Sequence, residues 1–452
     1  MWKSLWVSPA LGDTRISKLF LRLRQLVDVQ PGEVGALFWS FAYFFALLCS
    51  YYIVRPMRDE MGIAGGVEKL QWMFTGTFVS MLAVVPLFGW LAKRYPVRRF
   101  LPGVYYFFIA DLLLFYLLFE SNLTHAYVAR SFFIWASVYN LFIVSVFWSF
   151  MVDIFTNDQA KRLFGVIAAG GTAGALAGPA LTTILVIRLG PTNMLLVSAA
   201  FLAAALWCIH RIIAWKKSAA GGGSTEQTTE PDGRGRPEDQ AIGGSIWGGI
   251  QQVLHSSYLA GICVLMTLFT TLATFLYFQQ AQIVRDTFGN PSDRTALFAA
   301  MDFSVNALTI VTQLFFTSRI VGKLGLGWTL ALVPILLVCG FLLLGLVPAL
   351  SILIVVQVLR RAGNYAVMRP AREMLYVVVS KEEKYKAKNF IDTVVYRGGD
   401  AVSAWVYAGF KAIGLSSAGI ALAAVPLAAV WAWTSFSLGR RQMKMATPAG
   451  RS

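Results

Sequence analysis

The chain has 452 residues, of which 57% are hydrophobic and only 14% charged, with a mean hydropathy of +0.62; a soluble domain is about 25% charged and has no room to bury so much apolar surface. The apolar runs are about 20 residues long and unbroken, which excludes the alternating strands of an outer-membrane barrel and leaves an all-α, multi-pass membrane protein. The net charge of +16 would point to nucleic acid in a soluble chain, but here Lys and Arg sit mostly in short loops between apolar runs. The charge therefore reports topology, and the partners expected are the lipid bilayer and a small solute, with no nucleic acid.

In chain order, residues 1–35 form a basic amphipathic segment, with Ile16, Leu19, Leu21 and Leu23 among Lys18, Arg22 and Arg24. This suits a helix on the cytoplasmic leaflet better than an export signal. Six apolar spans occupy 36–214, at about 36–57, 70–92, 100–119, 128–153, 163–187 and 192–214. Residues 215–257 contain Gly221-Gly222-Gly223-Ser224 and a Thr-, Glu- and Pro-rich run to Gln240, the composition of a flexible cytoplasmic linker. Six more spans fill 258–437, at about 258–284, 296–318, 327–347, 350–376, 390–412 and 416–437, and 438–452 is a cytoplasmic tail. Arg58-Asp59 and Gly170-Gly171 in the first half find echoes at matched offsets in Arg285-Asp286 and Gly398-Gly399 of the second. Twelve helices in two six-helix halves, with nested triplets, is a secondary-transporter pattern. The chain is expected to work as a monomer, with Lys and Arg concentrated on the side of both termini, which places them in the cytoplasm.

Charge recurs inside these spans, where each charged residue costs about 2.5–3.5 kcal/mol on insertion scales. Arg55-Pro56-Met57-Arg58-Asp59 on span 1 reappears as Arg369-Pro370-Ala371-Arg372-Glu373 on span 10. Spans 1, 4, 7 and 10 are equivalent under the triplet reading, so the two copies are expected to line one cavity. Arg55 and Arg58 share a helix face at i, i+3, and Arg369 and Arg372 repeat that geometry. Arg360 and Arg361 precede Gly363 and Asn364, and Arg397 lies within span 11. Several guanidinium forks around one cavity suit a polyanion. Tyr52, with Tyr51, Tyr365 and Trp148, either stacks on a ring of the solute or packs the helices. An internal salt-bridge network is the competing reading of the arginines, joining Arg55 or Arg58 to Asp59 or Glu60, Arg372 to Glu373, and Arg397 to Asp400. Asp111, Asp302 and Asp392 stand in apolar stretches, either as proton carriers or as buried acids paired to a neighbouring helix; Asp302 and Asn306 make one polar face. Four scattered cysteines and three histidines lack metal spacing, so no metal or cofactor is expected. Nor is there a P-loop or a catalytic triad, and the chain does not read as an enzyme.

The loop Gly89-Trp90-Leu91-Ala92-Lys93-Arg94-Tyr95-Pro96-Val97-Arg98-Arg99 resembles the G-x-L-A-D-R-x-G-R-R loop of the major facilitator superfamily, with Lys93 in place of the acid and Pro96 in place of the glycine. Gly165, Gly174 and Gly178-Pro179 resemble a span-5 motif of facilitator antiporters, and equally provide close helix packing. Ser50 through Asp59, Phe147-Trp148-Ser149-Phe150 with Asp158-Gln159-Ala160-Lys161-Arg162, and Arg372-Glu373-Met374-Leu375-Tyr376 with Lys386 through Asp392 resemble the nucleotide-exchange (ATP/ADP translocase) family and its free-living bacterial relatives. By that resemblance Arg58 falls on a substrate-contacting lysine, Glu373 on the K-E-M glutamate, and Lys388 on the lysine of G-K-A-A-I-D. A functional glutamate of the fourth span has no counterpart near Ala136-Ser137-Val138-Tyr139-Asn140. The resemblance implies exchange of an anionic phosphorylated metabolite, ATP or ADP among the candidates, across a bacterial inner membrane. The anion would be held by Arg55, Arg58, Arg369 and Arg372 with Arg361, Tyr52, Asn364, Lys388 and Arg397. Gating or proton coupling would fall to Asp59, Glu373, Asp111, Asp302, Asp392 and Asp400. Two alternatives stay open: a proton-coupled facilitator of another organic solute, and a non-transporting membrane scaffold or sensor.

Overall fold

Backbone in hydrocarbon must satisfy its own peptide groups, and an unbranched way to do so is the helix. The computed structural model describes residues 29–30, 32–94, 97–121, 125–221, 253, 256–380, 387–388 and 390–446. Its helices are α1 (Val34–Ala64), α2 (Leu70–Arg94), α3 (Val97–Glu120), α4 (His125–Ile154), α5 (Asn157–Gly221), α6 (Ser257–Thr287), α7 (Pro291–Phe315), α8 (Thr317–Leu346), α9 (Leu350–Gly363), α10 (Arg369–Leu375), α11 (Tyr396–Ala412) and α12 (Ser417–Ala446). Each expected span falls on this helical framework. The fifth and sixth spans share α5, which breaks at Gly190 (φ 77°) just before Pro191. Gly325 (φ 72°) breaks α8 in the same way; both angles are ones that only glycine adopts without strain. Among the described residues, nine helical segments are long and apolar enough to cross a membrane.

Span 10 is not one smooth helix. Its α9 passes through a π turn, Asn364–Met368, into α10, and a second π turn, Ile391–Val395, opens α11. A π turn widens the helix by one residue and is frequent at functional sites. Within α1, Pro56 has no N–H for the carbonyl of Tyr52, which loosens the helix between Tyr52 and Arg58.

Two apolar clusters form the interior. One draws on α1, α3, α4 and α5. The other draws on α6 to α12 and takes in Ile63, Val67, Leu70, Met73 and Phe133 from the first half. Direction along the bundle follows from the polar contacts. Trp215 Nε1 donates to Gly32 O at 3.0 Å, and Arg441 Nη2 donates to Ser257 Oγ at 2.8 Å. Late in α1 and α6, Asp59 meets Tyr277, and Glu68 just past α1 pairs with Arg285, so these two helices run the same way; the start of α1, the end of α5, the start of α6 and the end of α12 therefore share one end of the bundle, here the terminal end. The opposite, distal end holds Ala64, Glu68, Arg285 and Pro291.

The closest approach in the first half is α1 against α5. A Cβ at Gly170 would lie 2.5 Å from Phe41 O, at Gly174 2.3 Å from Phe45 O, and at Gly178 2.8 Å from Cys49 O. The stripe at i+4 spacing exists because backbone meets backbone there. At the terminal end the same helix pair is clasped by charge. Glu33, which caps α1, takes two hydrogen bonds from Arg162 (2.9 and 3.1 Å) and one from Gln159 (2.9 Å). Arg162 holds the Glu33 carboxyl below the usual glutamate range despite its burial. The stretch Asp158 to Arg162 thus does local, structural work. The Gly- and Ser-rich linker, the amphipathic run of residues 1–28 and the last residues of the tail lie outside the described residues, as do Tyr95-Pro96 of the basic loop.

Candidate functional site

A cavity of about 170 Å³ lies between the two halves, walled by Arg55, Arg58, Phe74, Phe269, Ala273, Thr274, Tyr277, Arg360, Arg361, Asn364, Tyr365, Tyr396 and Asp400. Four guanidinium groups and one carboxylate face it. Helices α1 and α9 deliver the arginines; α6 brings Thr274 and Tyr277, and α11 brings Asp400. The π turn after α9 supplies Asn364 and Tyr365.

Each arginine has its own arrangement. Asp302 on α7, 1% exposed, serves two of them: it is in close contact with Arg361 through Oδ1, and its Oδ2 lies 3.5 Å from Arg55 Nε. The longer contact is coulombic, because Oδ2 accepts no hydrogen bond. Arg55 also lies over the Tyr52 ring at 5.7 Å. Arg58 donates from Nε to Ser137 Oγ at 2.9 Å and from Nη1 to Asp59 Oδ1 at 3.1 Å. Its guanidinium stacks 4.0 Å from the centre of the Phe133 ring, a favourable cation–π placement. Asp59 Oδ1 also accepts from Tyr277 on α6 at 3.0 Å. Arg397 sits over Tyr396 at 5.2 Å and 3.9 Å from Asp400; Asp400 accepts weakly from Thr274 at 3.4 Å.

Arg360 differs from the rest. It is 9% exposed, and among the described residues no carboxylate lies within ion-pair distance of it. Its Nε and Nη2 both donate to Gln357 Oε1, at 3.0 and 2.9 Å. Gln357 in turn donates to Gln280 Oε1 on α6 at 2.6 Å.

The structure does not gather every residue that the sequence singles out. Arg55, Arg58, Arg361, Asn364 and Asp400 meet at the cavity, with Asp59, Asp302 and Arg397 immediately behind its wall. Tyr52 reaches it through Arg55. The second Arg-Pro copy lies elsewhere: Arg369 is exposed, and Arg372 reaches Met266 Sδ at 2.9 Å and Asp392 at 3.9 Å. Lys388 is bound to Glu373 at 2.6 Å and lies 5.9 Å from the Tyr376 ring. This cluster is at the terminal end, where Tyr258 at the start of α6 donates to Leu375 O. Spans 1 and 10 run in opposite directions, so a motif at the same depth along each helix ends at opposite ends of the bundle. The expectation that both copies line one cavity is corrected on that ground, and Arg360 and Arg361, earlier on span 10, take the place expected of Arg369 and Arg372. Asp111 is apart from both clusters and accepts from Trp135 Nε1 at 2.8 Å. Glu60, expected beside Arg55 or Arg58, instead faces Arg294 on α7 at 3.0 Å. Gln280, Gln357 and Arg294 were not singled out in the sequence; a glutamine in an apolar run was the available signal for the first two, while Arg294 stands in the polar stretch Asn290 to Thr295 and gave none.

The Major Facilitator Superfamily profile matches residues 34–386. This chain belongs to the Major Facilitator Superfamily. It is an α-helical, multi-pass membrane transporter. It is 23% identical to ADP,ATP carrier protein 1 of Chlamydia trachomatis serovar D, over 94% of this chain and 92% of that protein. Among solved structures, a bacterial homologue of the iron transporter ferroportin in an inward-facing state superposes with a TM-score of 0.61 at 12% identity, covering 90% of this chain and 98% of that one. The nucleoside transporter NupG superposes with a TM-score of 0.58 at 11% identity, covering 92% and 99%. These likenesses establish the fold.

Proposed function

We propose that this transporter exchanges an anionic, phosphorylated, nucleotide-like metabolite by alternating access, as a single chain in a bacterial inner membrane with both termini in the cytoplasm. The observation that carries the reading is the wall of the cavity: four arginines face it against one aspartate. Behind them Asp302 and Asp59 offset part of that charge, and Arg360 keeps its own. A cationic cavity in a low-dielectric setting strongly favours an anion, and planar guanidinium forks match phosphate oxygens. Phe74, Phe269, Tyr277 and Tyr396 add ring faces on which a base can stack. The cavity is smaller than the roughly 300–1,000 Å³ typical of organic-ligand sites, which suits the phosphate end of the solute. The distant relationship to an ADP,ATP carrier points the same way. The halves 36–214 and 258–437 would rock about the cavity, and Lys388 with Glu373 would flank its mouth on the terminal side.

The test is exchange in liposomes. Purified protein is reconstituted with ADP inside, and uptake of labelled ATP is followed. Uptake is expected to require internal nucleotide and to fall to background in Arg58→Ala, which loses the guanidinium stacked on Phe133. Absence of uptake by folded protein, for nucleotides and for a panel of smaller phosphorylated solutes, would overturn the reading.

A further inference from the structure

We infer that Gln357 and Gln280 form a cradle that reserves the charge of Arg360 for the substrate, making Arg360 the anchor for a phosphate group and Gln357 its positioning residue. The inference rests on the reading of the cavity as an anion site and names the group within it that meets the phosphate.

The cavity arginines other than Arg360 have acidic company. Arg55 and Arg361 share Asp302, and Arg58 holds Asp59. An anion arriving at any of these must compete with a carboxylate already in place. Arg360 is held by an amide oxygen instead. A glutamine acceptor satisfies two N–H groups of the guanidinium without cancelling its charge; the carboxylate that acts on it, Asp400 of the same cavity wall, is not within ion-pair distance, so the guanidinium has room for a closer anion.

Orientation of that amide decides the arrangement. A glutamine side chain presents either an acceptor oxygen or a donor NH₂, and the NH₂ edge would repel a guanidinium. Arg360 removes the ambiguity, because a guanidinium only donates and must face Gln357 Oε1. Gln357 Nε2 is then left to donate to Gln280 Oε1 at 2.6 Å, which seats the amide from its other edge. Both glutamines are buried, at 3% and 2% exposure, so water does not scramble the relay. With Nε and one hydrogen of Nη2 committed to Gln357, the Nη1 edge is left for the cavity that Arg360 lines. The chemical class this selects is a phosphate or polyphosphate group, which takes a charged fork, over neutral solutes of similar shape.

The experiment compares two single substitutions by direct binding. Gln357→Glu exchanges NH₂ for O, keeps the acceptor that holds Arg360 and places a carboxylate on it. Gln357→Met removes the hydrogen bonds and leaves the charge of Arg360 intact. Pyrophosphate and ATP serve as probes, by calorimetry on protein that is monodisperse in detergent. Loss of one charge-assisted contact is worth about tenfold or more in affinity. Gln357→Glu is expected to lose at least that for both probes, Arg360→Gln to lose as much, and Gln357→Met to lose distinctly less than Gln357→Glu. A merely structural role for Gln357 gives the reverse order, since glutamate keeps the acceptor to Arg360, with Gln280 turning its NH₂ to the new oxygen, and methionine keeps neither contact. Wild-type affinity in Gln357→Glu, or weaker binding in Gln357→Met than in Gln357→Glu, overturns the cradle and leaves the anion site standing. Failure of the wild-type protein to bind either probe overturns both.

Discussion

Neighbouring residues in the sequence take opposite parts here. Arg361 is paired with Asp302, while Arg360, one position earlier, has no carboxylate within ion-pair distance among the described residues and rests on Gln357. Asp302 matters because it serves two cations at once, and removing one partner of a buried pair typically costs about 3–5 kcal/mol. Asp302→Asn strands both Arg55 and Arg361, whereas Arg361→Gln leaves Asp302 with Arg55. Chemical denaturation in detergent should therefore show a loss of about 3–5 kcal/mol for Asp302→Asn and a clearly smaller loss for Arg361→Gln. Equal losses would mean that the shared carboxylate is not what holds the two arginines. The identity of Arg55, Arg58, Arg361, Asn364, Asp302 and Asp400 as charged or polar groups out of place in an apolar run was legible in the sequence. Their pairing was not. Gln357 and Gln280 are separated by 77 positions and Arg361 and Asp302 by 59, and nothing local says which buried group meets which.

Among the elements, hydropathy located the spans because a bilayer imposes the same length on every one of them. It placed their ends too early where polar turns of helix extend past the apolar run, as in α12, which continues to Ala446. It also missed the π turns, which arise from packing and leave no mark in composition. The direction of a helix mattered more than its motif: counting Arg-Pro copies along the chain ignored that spans 1 and 10 point opposite ways. The glycines of α5 were legible as a stripe, and the structure shows which of them are needed. Gly174 faces the Phe45 carbonyl, and a side chain there would have to push backbone aside, while a Cβ at Gly165 meets nothing within 4 Å. Gly174→Val is expected to separate α1 from α5 and cost at least the roughly 1–3 kcal/mol of an overpacked contact. Gly165→Ala should be neutral or gain up to about 1 kcal/mol from helix propensity. Comparing the unfolding of the two variants checks this; if Gly174→Val is as stable as wild type, the close approach of α1 and α5 is not as drawn.

For the molecule as a whole, the decisive asymmetry is where the halves touch. Among the described residues, the polar contacts between them run from mid-depth to the distal end: Arg55 to Asp302, Tyr277 to Asp59, Asn306 to Ala175 O, Trp405 to Thr75, Glu60 to Arg294 and Glu68 to Arg285. Glu68 is exposed, and its pair with Arg285 is weakened by solvent screening. Glu60 is 0% exposed, and the Arg294 N–H is not aligned on its carboxylate, so this contact is a coulombic one in a dry place. Both helices α1 and α7 contribute one charge of each sign, with Arg55 and Glu60 on one and Asp302 and Arg294 on the other. The resulting charge-swapped clasp joins the halves from mid-depth to the distal end, and under the proposed alternating access it belongs to the state closed on that side. When the halves part, both charges of the Glu60–Arg294 pair gain water, so a change to the pair acts on the closed state and spares the open one. Glu60→Gln should thus destabilise the closed distal face by about 3–5 kcal/mol, enough to move the equilibrium between faces by a hundredfold or more. The readout is the labelling rate of Thr274→Cys, at the cavity wall, by a membrane-impermeant maleimide added on the distal side, in a background lacking the native cysteines. Labelling should accelerate strongly with Glu60→Gln and hardly at all with Glu68→Gln. Equal, unaccelerated rates would show that apolar packing of Ile63, Val67, Leu70, Met73 and Phe133 on the second half closes that face without the clasp.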